Sequence, residues 1–307
     1  MRAKCARTSV DGMISVGMST TCVYPFAVEH AFRIARMAGF DSMEIMVTND
    51  PVTQDAEKLL EISARYGLPI SAIHAPVLLL TTFVWGRDPQ VKLEKSGELA
   101  AAVGADTVVV HPPFRWQSGY AQNFERIVRQ TAASTGVKIA VENMFPWTVR
   151  GRSMKAYAPS PDPLDLDVDH MTLDFSHASL SGRDSLQMAM AMGDKLTHIH
   201  LCDGATAAAD GAILDEHLLP GEGTQPVAET LQYLAQNGWD GNVVAEVNVR
   251  QEKDEQYRLE KLVQTVAFAR EHLNQEHATR EPLGLGRAEL PLKIRQHRRA
   301  VKKATKG

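Results

Sequence analysis

LEKSGELAAAVGADTVVVHPP, residues 93–113, runs from a helix-like segment through Gly104 into a β-branched run that stops at His111 before two prolines. The glycine falls where a left-handed helix cap is expected, and the apolar run after it has the length and composition of a strand. One helix and one strand therefore read as a unit, and the unit recurs along the chain. Strands are predicted at 13–18 (MISVGM), 42–46 (SMEIM), 70–74 (ISAIH), 106–111 (DTVVVH), 137–142 (VKIAVE), 171–174 (MTLD), 196–201 (LTHIHL) and 242–246 (NVVAE). Helical patterns such as VEHAFRIARMAG, DAEKLLEISARYG and VAETLQYLAQNG separate them. Eight strands alternating with helices predict a parallel (β/α)8 TIM barrel, because parallel neighbours need crossover helices and right-handed crossovers close a ring. A doubly wound open sheet would carry a glycine-rich phosphate turn after its first strand, and GMSTTCVYP is no GxGxxG.

Composition sets the outer bounds. With 307 residues, 44% of them hydrophobic, the chain can bury one large core. The longest apolar runs, APVLLL and ADTVVV, fall far short of the ~20 residues of a membrane span. MRAKCARTSVDG leads into no apolar signal core, and the three cysteines, Cys5, Cys22 and Cys202, are scattered. Both features predict a soluble protein of the reducing cytoplasm. Charge is uneven: from Arg280 on there are nine Lys or Arg against Glu281 and Glu289. Removing these from the 33 basic and 37 acidic residues leaves the body near −11 and the tail near +7. The expected organisation is an N-terminal extension (1–12), a single barrel domain (13–275) and a basic C-terminal tail (276–307), read as a solvated extension.

Active sites of such barrels form where strands end, so the residues standing there matter. The third to eighth strands end in turn at His74, His111, Glu142, Asp174, His200 and Glu246. One strand-end histidine is usually a hydrogen-bonded core residue. Six metal-ligand types in succession, converging on one mouth, point instead to divalent cations, which would offset the repulsion and desolvation of three clustered carboxylates. Carboxylate with imidazole suits Zn, with Mn next, better than Mg or Ca. Loops add His177, three past Asp174, and the pair Asp215 and His217 in LDEHLLPGEG.

These residues give the chain a resemblance to the xylose isomerase-like barrel superfamily, over roughly residues 13–275. That superfamily holds sugar isomerases and epimerases as well as the endonuclease IV repair nucleases. The isomerase branch implies one metal held by Glu142, Asp174, His200 and Glu246. The nuclease branch implies three zincs: His74, His111 and Glu142 on the first, Glu142, Asp174, His200 and Glu246 on the second, His177, Asp215 and His217 on the third. One to three ions are thus implied. Two departures separate the chain from the nuclease: Val77 stands where that enzyme has an intercalating Tyr, and DGAT follows the seventh strand in place of a basic residue. VGMSTTCVYP and AGFDSMEIM, with Glu44, are similar to the isomerase and epimerase branch.

Further candidates concern substrate. Trp85 and Arg87 in TTFVWGRDP could wall the mouth and clamp an anion, and Arg115 and Trp116 offer the same choice. Arg150 and Arg152 read as solvated. His198 shares a strand face with His200 and is expected one layer down, as support for a ligand or as a contact to substrate. Gly221 and Gly223 in PGEGT could present backbone N–H groups to a phosphate or sugar oxygen.

Two mechanisms compete. As a sugar or sugar-phosphate isomerase or epimerase, the protein would use Glu142 and Glu246 to move a proton beside a metal-polarised carbonyl. As a phosphoester hydrolase of endonuclease IV type, it would activate hydroxide between clustered metals and accept nucleic acid. The first is preferred, with a small carbohydrate or phosphorylated molecule as partner; a metal-dependent binder without turnover is a third reading.

Overall fold

The computed structural model describes residues 14–76, 81, 83–149, 152–154, 156–205, 215–250 and 254–274. Among the described residues ten strands form: β1 (Ser15–Ser19), β2 (Ser42–Met46), β3 (Ile70–His74), β4 (Thr107–Val110), β5 (Lys138–Glu142), β6 (Trp147–Val149), β7 (Arg152–Met154), β8 (His170–Asp174), β9 (Leu196–Leu201) and β10 (Asn242–Ala245). Eight of them close a barrel in the order β1-β10-β9-β8-β5-β4-β3-β2, every neighbouring pair parallel. These are the eight strands expected from the sequence. The additions are β6 and β7, an antiparallel ribbon in the connection after β5.

The helices are α1 (Val28–Ala38), α2 (Ala56–Tyr66), α3 (Pro89–Val103), α4 (Ser118–Thr135), α5 (Phe175–Leu180), α6 (Ser185–Met192), α7 (Val227–Gln236) and α8 (Glu255–His272). The first four each stop on a left-handed glycine, Gly39, Gly67, Gly104 and Gly136, which turns the chain back toward the next strand. Their apolar faces pack on the barrel wall through Phe32, Ile34, Leu59, Leu93 and Phe124, all at most 1% exposed. Gly17 is needed where β1 meets β2, because a Cβ there would stand 2.6 Å from Ser42 Oγ.

Because all strands run the same way, their C-terminal ends and the loops after them surround one mouth. His74, Glu142 and Asp174 are the last residues of their strands, and His111 and Glu246 stand one residue beyond β4 and β10. None of the described helices is long and apolar enough to cross a membrane. The N-terminal extension, the basic tail, Val77 and Arg150 lie outside the described residues.

Candidate active site

Glu142 is the hub. Its Oε2 lies 3.0 Å from His111 Nε2 and 3.5 Å from His74 Nε2, and its Oε1 lies 3.0 Å from His200 Nδ1 and 3.2 Å from His177 Nδ1. His200 Nδ1 is also 2.8 Å from Glu246 Oε2 and 3.8 Å from Asp174 Oδ2. Toward the rim, Asp215 Oδ2 sits between His177 Nε2 at 3.3 Å and His217 Nε2 at 3.1 Å. All nine metal-ligand types expected from the sequence therefore stand at one mouth. Among them, His74, His111 and Glu142 form one group whose ligand atoms all lie within 4.8 Å of one another; Glu142, Asp174, His200 and Glu246 form another, and Asp174, His177 and His217 a third. The sequence paired Asp215 with His177 and His217, and here Asp215 contacts both, while buried Asp174 approaches His217 Nδ1 at 3.9 Å.

Backbone and side chains around these residues fix their rings. His74 and His177 each place Nδ1 against a carbonyl, of Ala75 at 3.1 Å and of Asn143 at 2.9 Å, and His217 Nδ1 meets the Glu246 carbonyl at 2.8 Å. Each contact leaves Nε2 facing the site, the arrangement metal-binding histidines ordinarily show. Asn143 accepts from the Asp174 backbone N–H and donates to the Asp174 carbonyl, locking β5 to β8 at the mouth. Asp174 Oδ1 in turn accepts the His177 N–H at 2.7 Å and so starts α5. His217 holds a left-handed backbone, φ 44°, uncommon for a residue with a Cβ.

Electrostatics follow from burial and from this mixture of charges. Burial raises the Glu142 carboxyl, but His200 and His111 more than offset it and hold it well below its ordinary value. Glu246 is shifted the same way, with burial opposed chiefly by His200. Burial wins at Asp174, whose pKa rises, and at His111, whose pKa falls. At His200 burial is outweighed by Glu246 and Glu142, which lift it well above the imidazole range; His217, beside Asp215 and Asp174, is pushed up to about 10 against its own burial.

The residues fit a divalent cation. Glu142 Oε2 is buried and receives no hydrogen bond even though two imidazole nitrogens lie within 3.5 Å. Three ligand atoms thus converge in the protein interior, a grouping that a cation would fill. Above them opens a cavity of ≈380 Å3, floored by His74, His111, Glu142, His177, His217 and Glu246 and walled by Tyr24, Asn49, Asn248 and Arg250.

The substrate candidates fall elsewhere. Trp85 is half-buried against the core and lines neither this cavity nor the one beside it. Arg87 lies outside this mouth, its guanidinium 5.0 Å from the centre of the Phe83 ring. His198 is fully buried beside Glu44, at 3.1 Å from its Oε2, and does not line the cavity. The PGEGT turn needs a correction. Asp203 takes the N–H of Gly221 at 3.0 Å, along with those of Gly204 at 2.8 Å and Gln225 at 3.1 Å, and Gly223 has no Cβ because the same carboxylate fills that space. Neither glycine lines the cavity. Arg115 is exposed, and Trp116 is 56% exposed while stacking on Phe114 at 4.5 Å. The sequence reading missed Asp203, Asn143 and the wall residues Asn49, Asn248 and Arg250, although all of them follow a strand end closely, because none is a metal-ligand type except Asp203.

Fold and site together define a (β/α)8 barrel with a candidate metal centre at the C-terminal mouth of its strands. The sequence profile of the Xylose isomerase-like TIM barrel family matches residues 32–272, and the chain belongs to that family. An uncharacterised protein of Mycobacterium tuberculosis is 44% identical over 279 residues, covering 85% of this chain and 98% of its own length. Fructoselysine 3-epimerase of Escherichia coli O157:H7 is 25% identical over 187 residues, 61% of this chain and 54% of that enzyme. Among solved structures, a D-tagatose 3-epimerase-like protein superposes with a TM-score of 0.61 at 22% identity, over 85% of this chain and 97% of its own.

Proposed function

We propose that the protein is a metal-dependent isomerase or epimerase of a small carbohydrate. The observation that carries this is the placement of two carboxylates around one ring nitrogen: Glu142 and Glu246 approach His200 Nδ1 at 3.0 and 2.8 Å, and both line the same cavity. Sugar epimerases in the same family support it. Glu142, Asp174, His200 and Glu246 would hold the cation, with zinc or manganese suited to the donors. Bound there, the cation would supply Lewis acidity, polarising a substrate carbonyl and making the adjacent C–H more acidic. Glu142 ends β5 and Glu246 stands one residue past β10, and we assign the two carboxylates to opposite faces of a bound sugar carbon. One removes the proton and the other returns it, giving epimerisation, or isomerisation when the proton returns to the neighbouring carbon. Asn49, Asn248 and His217 would orient hydroxyls.

The test is deuterium exchange into a panel of ketoses in heavy water, with metal content measured on the same samples. The wild type is expected to exchange the hydrogen beside the carbonyl, and Glu246→Gln to lose at least about 100-fold of that rate. Exchange undiminished in Glu246→Gln removes Glu246 from the reaction.

A second reading, a multinuclear phosphoester hydrolase, draws on the third ligand group, Asp174, His177 and His217. Metal stoichiometry separates the two: one ion per chain favours the epimerase, and three favour the hydrolase.

A further inference from the structure

A second cavity, of ≈220 Å3, lies between the connections that follow β3 and β4 and meets the first at His111, which lines both. Arg87, Lys92, Gln117 and Tyr120 line it with Phe114 and Trp116, and no carboxylate is among the lining residues. Lys92 is the unusual member. On α3 and only 8% exposed, it donates to the Thr81 carbonyl at 2.7 Å and has no ion pair among the described residues. Among the described residues that carbonyl is the one acceptor for three N–H groups. Lysine is almost never buried unless paired, because an uncompensated buried cation costs several kcal/mol.

Arg87, exposed over the Phe83 ring, likewise has no carboxylate partner among the described residues. A third polar group is also unmet. His74 and His177 satisfy Nδ1 with a carbonyl, but His111 Nδ1 is buried without a hydrogen bond while its Nε2 faces Glu142. Among the described residues, then, two cations without an ion pair line one space, and His111, whose Nδ1 is buried without a hydrogen bond, lines it too.

We propose that this second cavity binds the phosphate group of the substrate, with Lys92 and Arg87 as its counter-charges. The substrate is then a phosphorylated carbohydrate. Size favours an appendage: 220 Å3 is below the roughly 300 Å3 at which pockets for whole small molecules begin. The reacting end would occupy the larger cavity at Glu142 and Glu246, on the far side of His111. Chemistry favours phosphate, since the planar guanidinium presents paired donors to its oxygens and two cations match a dianion. The link to a reacting carbohydrate rests on the epimerase reading; the phosphate site does not.

The experiment measures thermal unfolding of the full chain, as purified, with inorganic phosphate, D-fructose 6-phosphate or D-fructose. Wild type is expected to be stabilised by phosphate, and more by the sugar phosphate than by the free sugar. Lys92→Met removes the charge at nearly constant volume, so the ligand-free protein should melt no lower while its apparent phosphate affinity falls at least about tenfold. Arg87→Gln, at an exposed position where folding is not at stake, should weaken the same response. Glu246→Gln should keep it, so loss of the epimerase reading would leave this site standing. An equal phosphate response in wild type, Lys92→Met and Arg87→Gln overturns the proposal. So does a wild type indifferent to phosphate, or a Lys92→Met that melts lower with its phosphate response intact, which would make Lys92 a pin for the Thr81 loop and nothing more.

Discussion

Glu44 is a carboxylate that water does not reach. Its Oε2 lies 3.3 Å from His200 Nε2 and 3.1 Å from His198 Nε2, and its Oε1 is buried without a partner. A side chain so placed can hold the His200 ring with Nε2–H toward itself and Nδ1 toward Glu142 and Glu246. Glu44→Gln keeps the volume and removes the charge, so affinity for a divalent metal should fall about 10–100-fold with no drop in melting temperature of the metal-free protein. Equilibrium dialysis with unchanged affinity would remove Glu44 from that role. The rim imidazoles give a pH prediction. His217 is raised from 6.5 to about 10 in the folded, metal-free chain, so its contribution is fully present below 6.5 and is lost as pH rises toward 10. The melting temperature of metal-free protein should therefore fall from pH 6.5 to pH 10, while bound metal, which needs neutral imidazole, should grow tighter. A melting temperature that rises across that interval contradicts the assignment. Seven of the nine ligand types could be read in the sequence because each stands at a strand end or within three residues of one, and Asp215 and His217 because they form an Asp-x-His pair before a Pro-Gly turn. What Glu44 does could not be, because it depends on β2 facing β9 across the barrel, 156 residues away in the chain.

Most barrel strands were legible as elements because each is a short apolar run set off by glycine or proline; β8, between Asp169 and Phe175, has neither beside it. The β6–β7 ribbon was not legible, because three-residue strands are too short to show a period. The loop after β9 shows a different failure. Its glycines look like an anion nest, but the anion is already in the chain: Asp203 gathers the three amides of Gly204, Gly221 and Gln225 and pairs its own backbone with Leu218. Nothing local in the sequence marks a carboxylate that binds a loop some twenty residues on. Asp203→Ala would strand those donors and loosen the segment that carries His217, at a cost of about 3 kcal/mol. Gly223→Ala should act through the same contact, by pushing a methyl group into the carboxylate. Urea unfolding of both variants checks this, and wild-type midpoints would show that the loop holds itself without Asp203.

At the scale of the molecule, a barrel is stable only once its last unit closes on its first. β10 pairs with β1 in parallel, and α8 packs beside α1. Arg270, near the end of α8, reaches back to Asp41 Oδ1 at 2.9 Å and to the Gly39 carbonyl at 2.9 Å, while Asp41 Oδ2 accepts the Val16 N–H. One guanidinium thus joins the last helix to the turn between the first helix and β2, and its side chain is only 8% exposed. Arg270→Met would remove this ion pair from Asp41 and this donor from the Gly39 carbonyl, costing about 3 kcal/mol at the lower end of broken buried pairs. For the basic stretch beyond, whose sequence from Arg280 on lacks a sustained helical apolar period, we predict no such part in closure. A chain ending at residue 279 should therefore melt where the full chain does, and Arg270→Met in that shorter chain should cost what it costs in the full one. A melting temperature that falls on truncation alone would place the tail against the barrel and shift the domain boundary past 275. Normal melting of Arg270→Met would mean that strand pairing between β1 and β10 closes the ring without this staple.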